Sequence, residues 1–345
     1  MRSRVYVALS GCAVLITAAI MVSGGSAATA LSLSGAGSSF VYPLVSAWMQ
    51  PYDQAHGVTL QYDPVGSGEG VTSITARTVD FGATDAPLTP AQRAACNGCL
   101  QIPWALSATA VAYNVPGVRS GLHLSGPVIA QIFLGIVTKW NAPAIRKLNP
   151  GLTLPDLAIT PVHRSDASGT SYSFSQYLAA VSPAAHTRIG VGTLPNWPTG
   201  QGARGSSGVA ASVASTSGAV TYVDVAYALQ NRIKFASVSN AAGQWTLPGL
   251  PAISAAAATI KTVPLSGQLT IVSPPKTATA AYPIATFTYV IVPSASAKAK
   301  LLRTFVYWSV TEGQKFGPPL LFQPVPRVVQ AFAYQQIAKI QVATP

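Results

Sequence analysis

The chain has 345 residues, of which 49% are hydrophobic and only 9% charged, with 21 Lys and Arg against 9 Asp and Glu. The length suits two domains of ordinary size, and the apolar content excludes a disordered chain, because disorder needs low hydrophobicity. The net charge of +12 is not the mark of a nucleic-acid-binding protein: it comes from scarce acids, and the basic residues are mostly singletons, with no basic arm or phosphate-tracking stripe. What it supports is a mild attraction for small anions.

The first 30 residues have the three parts of a secretory signal: Arg2 and Arg4, the apolar run VYVALSGCAVLITAAIMV, and the small-residue stretch SGGSAATA. Cleavage after Ala28 or Ala30 is one reading. An uncleaved anchor is another, since 5–22 is just long enough to span a membrane. LSGC at 9–12 resembles a lipoprotein box, but most of the apolar residues follow Cys12 instead of preceding it.

In the next segment, Phe40, Leu44, Trp48 and Tyr52 recur at four-residue steps and predict an amphipathic helix, with Pro43 in its first turn. GVTLQYD alternates as a strand, PVGSGEG is a Gly-rich turn, VTSITART a short helix and VDFGATD a second strand. TPAQRAA predicts a helix ending at Cys96 and Cys99. A thioredoxin-like pair would open a helix, and a zinc site needs more ligands, so this pair reads as a small disulfide pinning a surface loop. QIPWALSATAVAYNV and LAITPVHR continue as strands, SYSFSQYLAAV as a helix, and AVTYVDVAYAL as a strand running into a helix. YPIATFTYVIV is a β-branched strand and AKAKLLRTFVYWSVTEGQKF one long helix, while 236–280 has no clear period. The rhythm is that of an α/β protein.

Three helix starts share one local form: GAGSSF before the first helix, GSGEG before Val71, and SDASGTS before Tyr172. The first N–H groups of a helix lack internal partners and carry partial positive charge, which makes an anion site. Small residues let the backbone approach, and hydroxyls add donors; capping by Ser is the alternative at each. Familiar motifs are absent. GAGSSF fails the dinucleotide pattern at Phe40, GSGEGVTS lacks the P-loop Lys, and no Ser sits in G-x-S-x-G.

LSGAGSSFVYPLVSAW, GSGEGVTSITARTVDFGATDAPLT, HRSDASGTSYSFSQYL and YPIATFTYVIV together resemble the phosphate-binding protein of the bacterial high-affinity phosphate ABC transporter, the PstS family. The similarity runs from about Leu33 to the C-terminal helices and is weakest across 236–280. It implies a two-lobed, periplasmic-binding-protein-like fold of type II, with two mixed-sheet α/β domains joined by a two-strand hinge. Lobe I would comprise 31–114 with 290–345, and lobe II 115–289. The resemblance places phosphate contacts on Ser39, the Phe40 N–H, Ser67, Asp85, Arg164, Ser168, Gly169 and Thr170, with Asp166 bracing Arg164. Ala167 stands where relatives often have Gly, so a left-handed turn there would be strained. An acid usual in the family near Ser206–Ser207 is absent, which puts its inter-lobe contact in doubt.

A dehydrated phosphate needs every oxygen satisfied. Arg164 offers planar charge-assisted donors. Ionised Asp85 only accepts hydrogen bonds, so it suits an anion that still carries a proton and repels sulfate, which has none. Asp80 is read as a fold-supporting residue. The implied protein is an extracytoplasmic, monomeric binding protein, without enzymatic activity, cofactor, metal or nucleic-acid partner. It would close on inorganic phosphate and pass it to membrane permease subunits. Rival readings are a protein for arsenate, sulfate or molybdate, and an exported phosphate-ester hydrolase. The scarcity of acids also predicts little loss of stability toward pH 4.

Overall fold

The computed structural model describes residues 31–343. The export-signal and lipoprotein readings fall on residues 1–30, outside the described residues.

The chain opens with β1 (Leu31–Gly37), α1 (Tyr42–His56), β2 (Val58–Asp63), α2 (Ser67–Thr75), β3 (Phe81–Thr84), α3 (Pro90–Ala95) and β4 (Cys99–Tyr113). It continues through β5 (His123–Leu124), α4 (Gly126–Phe133), α5 (Pro143–Arg146), β6 (Thr160–Arg164), α6 (Gly169–Val181), α7 (Pro183–Arg188), β7 (Gln201–Ala203), α8 (Gly205–Ser215), β8 (Ala219–Asp224) and α9 (Val225–Gln230). The remainder holds β9 (Lys234–Phe235), β10 (Ser237–Ser239), β11 (Trp245–Thr246), α10 (Leu250–Ala257), β12 (Ala285–Pro293), β13 (Ala295–Ser296), α11 (Ala299–Ser309), α12 (Arg327–Ile337) and β14 (Gln341–Val342).

The main sheet runs in the order β2-β1-β3-β12-β4-β8-β6-β7, with β9 also on β4. Parallel pairs at each end, β1 with β2 and β3, and β6 with β7 and β8, flank the antiparallel strands β12 and β4. β4 belongs to both halves. Its residues Cys99–Ala108 pair with β12, and Thr109–Tyr113 pair with β8. Each parallel half places its loops at the carboxyl ends of its strands, where open α/β sheets bind ligands.

Local sequence accounts for much of this. In α1, Leu44, Trp48 and Tyr52 are all buried, Pro43 sits in the first turn where its missing N–H costs nothing, and Gly57 ends the helix at φ 63°. Trp48 then packs edge-on against Trp104, 5.2 Å between rings, in a core shared with Phe305 and Trp308. Two expectations need correction. The helix beginning at Ala299 stops at Ser309, and Glu312–Phe316 is a separate 3-10 turn; the Gly313 carbonyl turns inward to accept from Trp48 Nε1 at 2.8 Å. The stretch 236–280 contains β10, β11 and α10, and Asn240 ties it down by donating to the Thr279 and Ala281 carbonyls at 2.8 and 3.1 Å. Such single-residue anchors leave no period in a sequence.

Candidate functional site

Four helices begin around one buried cluster. The β1–α1 turn supplies Ser38, Ser39 and Phe40; the start of α2 supplies Ser67. The β6–α6 turn supplies Arg164 to Thr170, and the start of α8 supplies Ser206. GSGEG is not a turn before the second helix, as its sequence suggests, but the helix's own first turn, with Ser67 as its first residue. The glycines are there for space: a Cβ on Gly70 would lie 2.4 Å from the Gly37 Cα, so α2 lies directly on β1.

Asp85 follows β3 and is 3% exposed. Ser38 Oγ donates to its Oδ1, and Ser67 Oγ donates to its Oδ2 at 3.3 Å. Burial pushes its carboxyl up to about 6, against the lowering influence of the Ser38 bond and the Arg164 charge. Gly169, the first residue of α6, packs directly on Asp85; a Cβ there would lie 2.6 Å from the Asp85 Cβ. The Gly169 N–H donates to Ser67 Oγ at 3.1 Å, so Ser67 links the two halves beside Asp85.

Arg164 ends β6 and is also 3% exposed. Its Nε donates to Asp166 Oδ1 at 2.7 Å and its Nη2 donates to Asp166 Oδ2, a two-pronged ion pair. Burial alone would raise Asp166, but the bonds and charge of Arg164 outweigh it and hold the carboxyl below its ordinary value. The Gly205 N–H also donates to Asp166 at 3.0 Å. Gly66, at φ 107°, leaves room for this carboxylate: a Cβ would lie 2.3 Å from Asp166 Oδ2. Arg164 makes no ion pair with Asp85, although the two lie close enough for the cation to lower the acid.

The other residues read from the sequence fall as follows. Ser39 Oγ bonds Ser206 Oγ at 2.9 Å and accepts from the Ser206 N–H at 3.0 Å. Ser168 caps α6, its Oγ accepting from the Ser171 N–H at 3.2 Å, which leaves its own hydrogen free. Thr170 Oγ1 is buried with no protein partner among the described residues. The Phe40 ring lies in the core, edge-on to Phe322, and its backbone directly precedes Val41, the N-cap of α1. Ala167 is not at positive φ, so it carries no left-handed strain; its carbonyl accepts from the Gly68 N–H at 2.9 Å. Asp80 is bonded to Ser34 and Lys298, away from the cluster. Cys96 and Cys99 are joined to each other after α3, also away from it.

Ser38, Ser206 and Asp224 escaped the sequence reading; Ser38 is the hydroxyl that donates to Asp85 Oδ1. Ser206 makes the cross-half contact that the missing acid put in doubt, through a hydroxyl, and Arg164 Nη1 reaches it at 3.5 Å. Its only signal was a fourth Gly-Ser pair ahead of a helix. Asp224, fully buried at the end of β8, caps α9 by accepting from the Ala226 N–H at 2.8 Å. Burial, then the nearby Asp85 charge, drive it well above its ordinary value. An acid directly before VAYAL was a capping signal.

Contacts from Ser39 to Ser206, Ser67 to Gly169 and Gly68 to Ala167 close the two halves over the cluster. A cleft of about 510 Å³ runs along its outer rim, lined by Glu69, Ser165, Asp166 and Arg204. The arrangement can hold a small tetrahedral anion: a guanidinium, hydroxyls and helix N-termini donate, and one carboxylate accepts. No cluster of metal-ligating residues is found among the described residues.

A family model described as a PBP superfamily domain matches residues 23–312. Phosphate-binding protein PstS of Xylella fastidiosa (strain Temecula1 / ATCC 700964) is 39% identical over 300 residues, covering 86% of this chain and 82% of that protein. Phosphate-binding protein PstS of Pasteurella multocida (strain Pm70) is 38% identical over 304 residues, covering 87% and 88%. Among solved structures, the high-affinity periplasmic phosphate-binding protein PfluDING, bound with phosphate, superposes with a TM-score of 0.74 at 20% identity, covering 91% of this chain and 100% of that one. The phosphate-binding protein from Stenotrophomonas maltophilia gives 0.72 at 20% identity, covering 88% and 93%. The two structural likenesses establish the fold as that of two-lobed, periplasmic-binding-protein-like α/β proteins.

Proposed function

The chain belongs to the PstS family of phosphate-binding proteins, and from this we propose that it captures inorganic phosphate between its two lobes and delivers it to the permease of an ABC transporter. One observation carries the assignment of the site. Arg164 and Asp85 are both buried and near each other, yet the cation is paired with Asp166 and the acid with hydroxyls. A ligand seated between them must accept from one side and donate to the other. Hydrogen phosphate does both; sulfate only accepts.

In this reading Arg164, its Nη1 turning from Ser206, and the hydroxyls of Ser39, Ser168 and Thr170 donate to phosphate oxygens, while Ser67 exchanges its bond to Asp85 for one to the ligand. The backbone N–H groups of Phe40 and Thr170 add donors near helix starts, and the Gly169 N–H joins them when it leaves Ser67 Oγ. Asp85 accepts a hydrogen bond from the phosphate O–H and thereby discriminates against fully deprotonated anions. Asp166 fixes the guanidinium plane. The lobes would meet where β4 exchanges partners, at Ala108–Thr109, and where β12 begins, at Ala285. Bending there opens and closes the cleft, and phosphate favours the closed state because only that state surrounds it. The protein works outside the cytoplasm as a monomer, exported by its first 30 residues, and binds without turnover.

Calorimetric titration of the purified chain with phosphate and then sulfate tests this. Phosphate is expected to bind tightly and sulfate weakly or undetectably at neutral pH. Equal affinities would remove Asp85 from its role, and absence of phosphate binding would remove the function.

A further inference from the structure

Just past the C-terminal end of α2, at the opposite end of that helix from Ser67, Arg77 turns its guanidinium onto the Cys96–Cys99 disulfide. Its Nη1 lies 3.5 Å from Cys96 Sγ and 3.3 Å from Cys99 Sγ, and it donates to the Ile74 carbonyl at 2.6 Å. Nη2 donates to the carbonyls of Cys96 and Asn97 at 2.9 and 3.2 Å. Arg77 holds this pose at φ 58°, an uncommon conformation for a residue with a Cβ, and Asn97 in the bridged turn is at φ 36°. No carboxylate answers the charge: the ion pairs among the described residues are Lys139–Asp156, Arg164–Asp166, Lys298–Asp80 and Lys315–Glu312. The nearby Arg93 on α3 is cationic too and donates to the Ser266 carbonyl. In a chain so poor in acids, the nearest anion this guanidinium could acquire is a cysteine thiolate.

We propose that Cys96–Cys99 is an exchangeable disulfide, a redox-modification site for a dithiol, with Arg77 stabilising the thiolate released on opening. The two sulfurs differ in access: Cys96 is 1% exposed, whereas Cys99 is half-buried. A thiolate of the dithiol therefore attacks Cys99 Sγ. A bond forms between reductant and Cys99, the Cys96–Cys99 bond breaks, and its electron pair leaves on Cys96 Sγ beside Arg77 Nη1. The second thiol of the reductant loses its proton to solvent and attacks its own sulfur in the mixed disulfide. That releases Cys99 as a thiolate and the reductant as a disulfide. Two electrons pass to the protein, and the protons given up by the dithiol are available to its thiolates. A neighbouring cation speeds the first step by improving the leaving group and favours the reduced state at equilibrium. Arg77 is exposed to solvent along part of its length, so screening keeps the effect moderate.

The test equilibrates the full chain with graded ratios of reduced and oxidised dithiothreitol and, after acid quenching and alkylation, quantifies the thiols of Cys96 and Cys99 separately from Cys12 by peptide mapping. Arg77→Gln is expected to be harder to reduce than the wild type, by about fivefold to tenfold in the exchange constant, tenfold being ~30 mV for a two-electron couple. Arg77→Lys should recover most of the difference. Equal constants for wild type and Arg77→Gln overturn the proposal. A measurement on the wild type alone stands even if the variant does not fold. Iodoacetamide alkylation of the reduced protein across pH should reveal one thiol titrating below the ordinary ~8.5; midpoints at or above that value for both thiols also overturn it.

Discussion

The wall of the cluster built from β1 and β3 sets Asp85 among serine hydroxyls, whereas the wall built from β6 and α6 sets Asp166 against a guanidinium. The two aspartates are chemically identical, yet burial lifts one to about 6 and an ion pair holds the other below its ordinary value. The difference teaches how a site short of charges divides its work. Asp166 neutralises and orients Arg164, and in the proposed reading this lets the β6 wall attract an anion without leaving a buried cation uncompensated. Asp85 accepts only from hydroxyls and pairs with no cation, and in the proposed reading this leaves the β3 wall to sense whether the anion carries a proton.

The comparison breaks most visibly at Asp85. Asp85→Asn replaces a pure acceptor with a group that also donates, and a site built around a ligand hydroxyl rejects analogues lacking it by roughly 10⁴–10⁵. The sulfate-to-phosphate affinity ratio should rise by about 10³-fold or more on this account; an unchanged ratio in paired titrations would show that Asp85 does not read the proton. On the opposite wall, Arg164→Ala should weaken phosphate binding by roughly 30- to 5,000-fold, the ~2–5 kcal/mol typical of truncating a buried charged partner. Near-normal affinity by calorimetry would move the pocket elsewhere.

A smaller effect separates the two acids by pH. Asp85 sits at about 6 in the fold against 3.8 for the free group. A raised carboxyl contributes stability that is fully present below 3.8 and lost as pH rises through 6. Asp224 acts in the same direction, and Asp166 in the opposite one, but only as pH falls below the ordinary carboxylate range. The ligand-free protein should therefore gain about 1 kcal/mol from Asp85 between pH 7 and pH 5, or roughly 2–4 °C in melting temperature. Asp85→Asn should lose that increment. A wild-type melting temperature that falls over this interval would contradict the assignment. The smallest change is expected for Ser206→Ala, which removes a hydroxyl bond across the closed halves. At about 0.5–1.5 kcal/mol it should cost phosphate affinity roughly two- to tenfold, and an unaltered titration would mean that the halves close without it.

Short-range pattern in the chain sets the elements and the chemistry available to them. The four-residue apolar steps of α1, the strand alternation of β2 and the Gly-Ser helix starts are short-range patterns, each set by neighbours within one or two turns. Arg164 and Asp85 stood out because so few charges surround them in the chain. Which of these parts meet is settled by long-range packing in the folded chain. Ser39 finds Ser206 across 167 positions and Ser67 finds Gly169 across 102. The start of α2 at Ser67, the relaxed backbone of Ala167 and the buried cap at Asp224 likewise depend on packing against distant strands. A single residue does not carry its own burial or its own counter-ion. Those arise only when remote segments fold together, and for that reason two aspartates that look alike in the sequence end with opposite affinities for a proton.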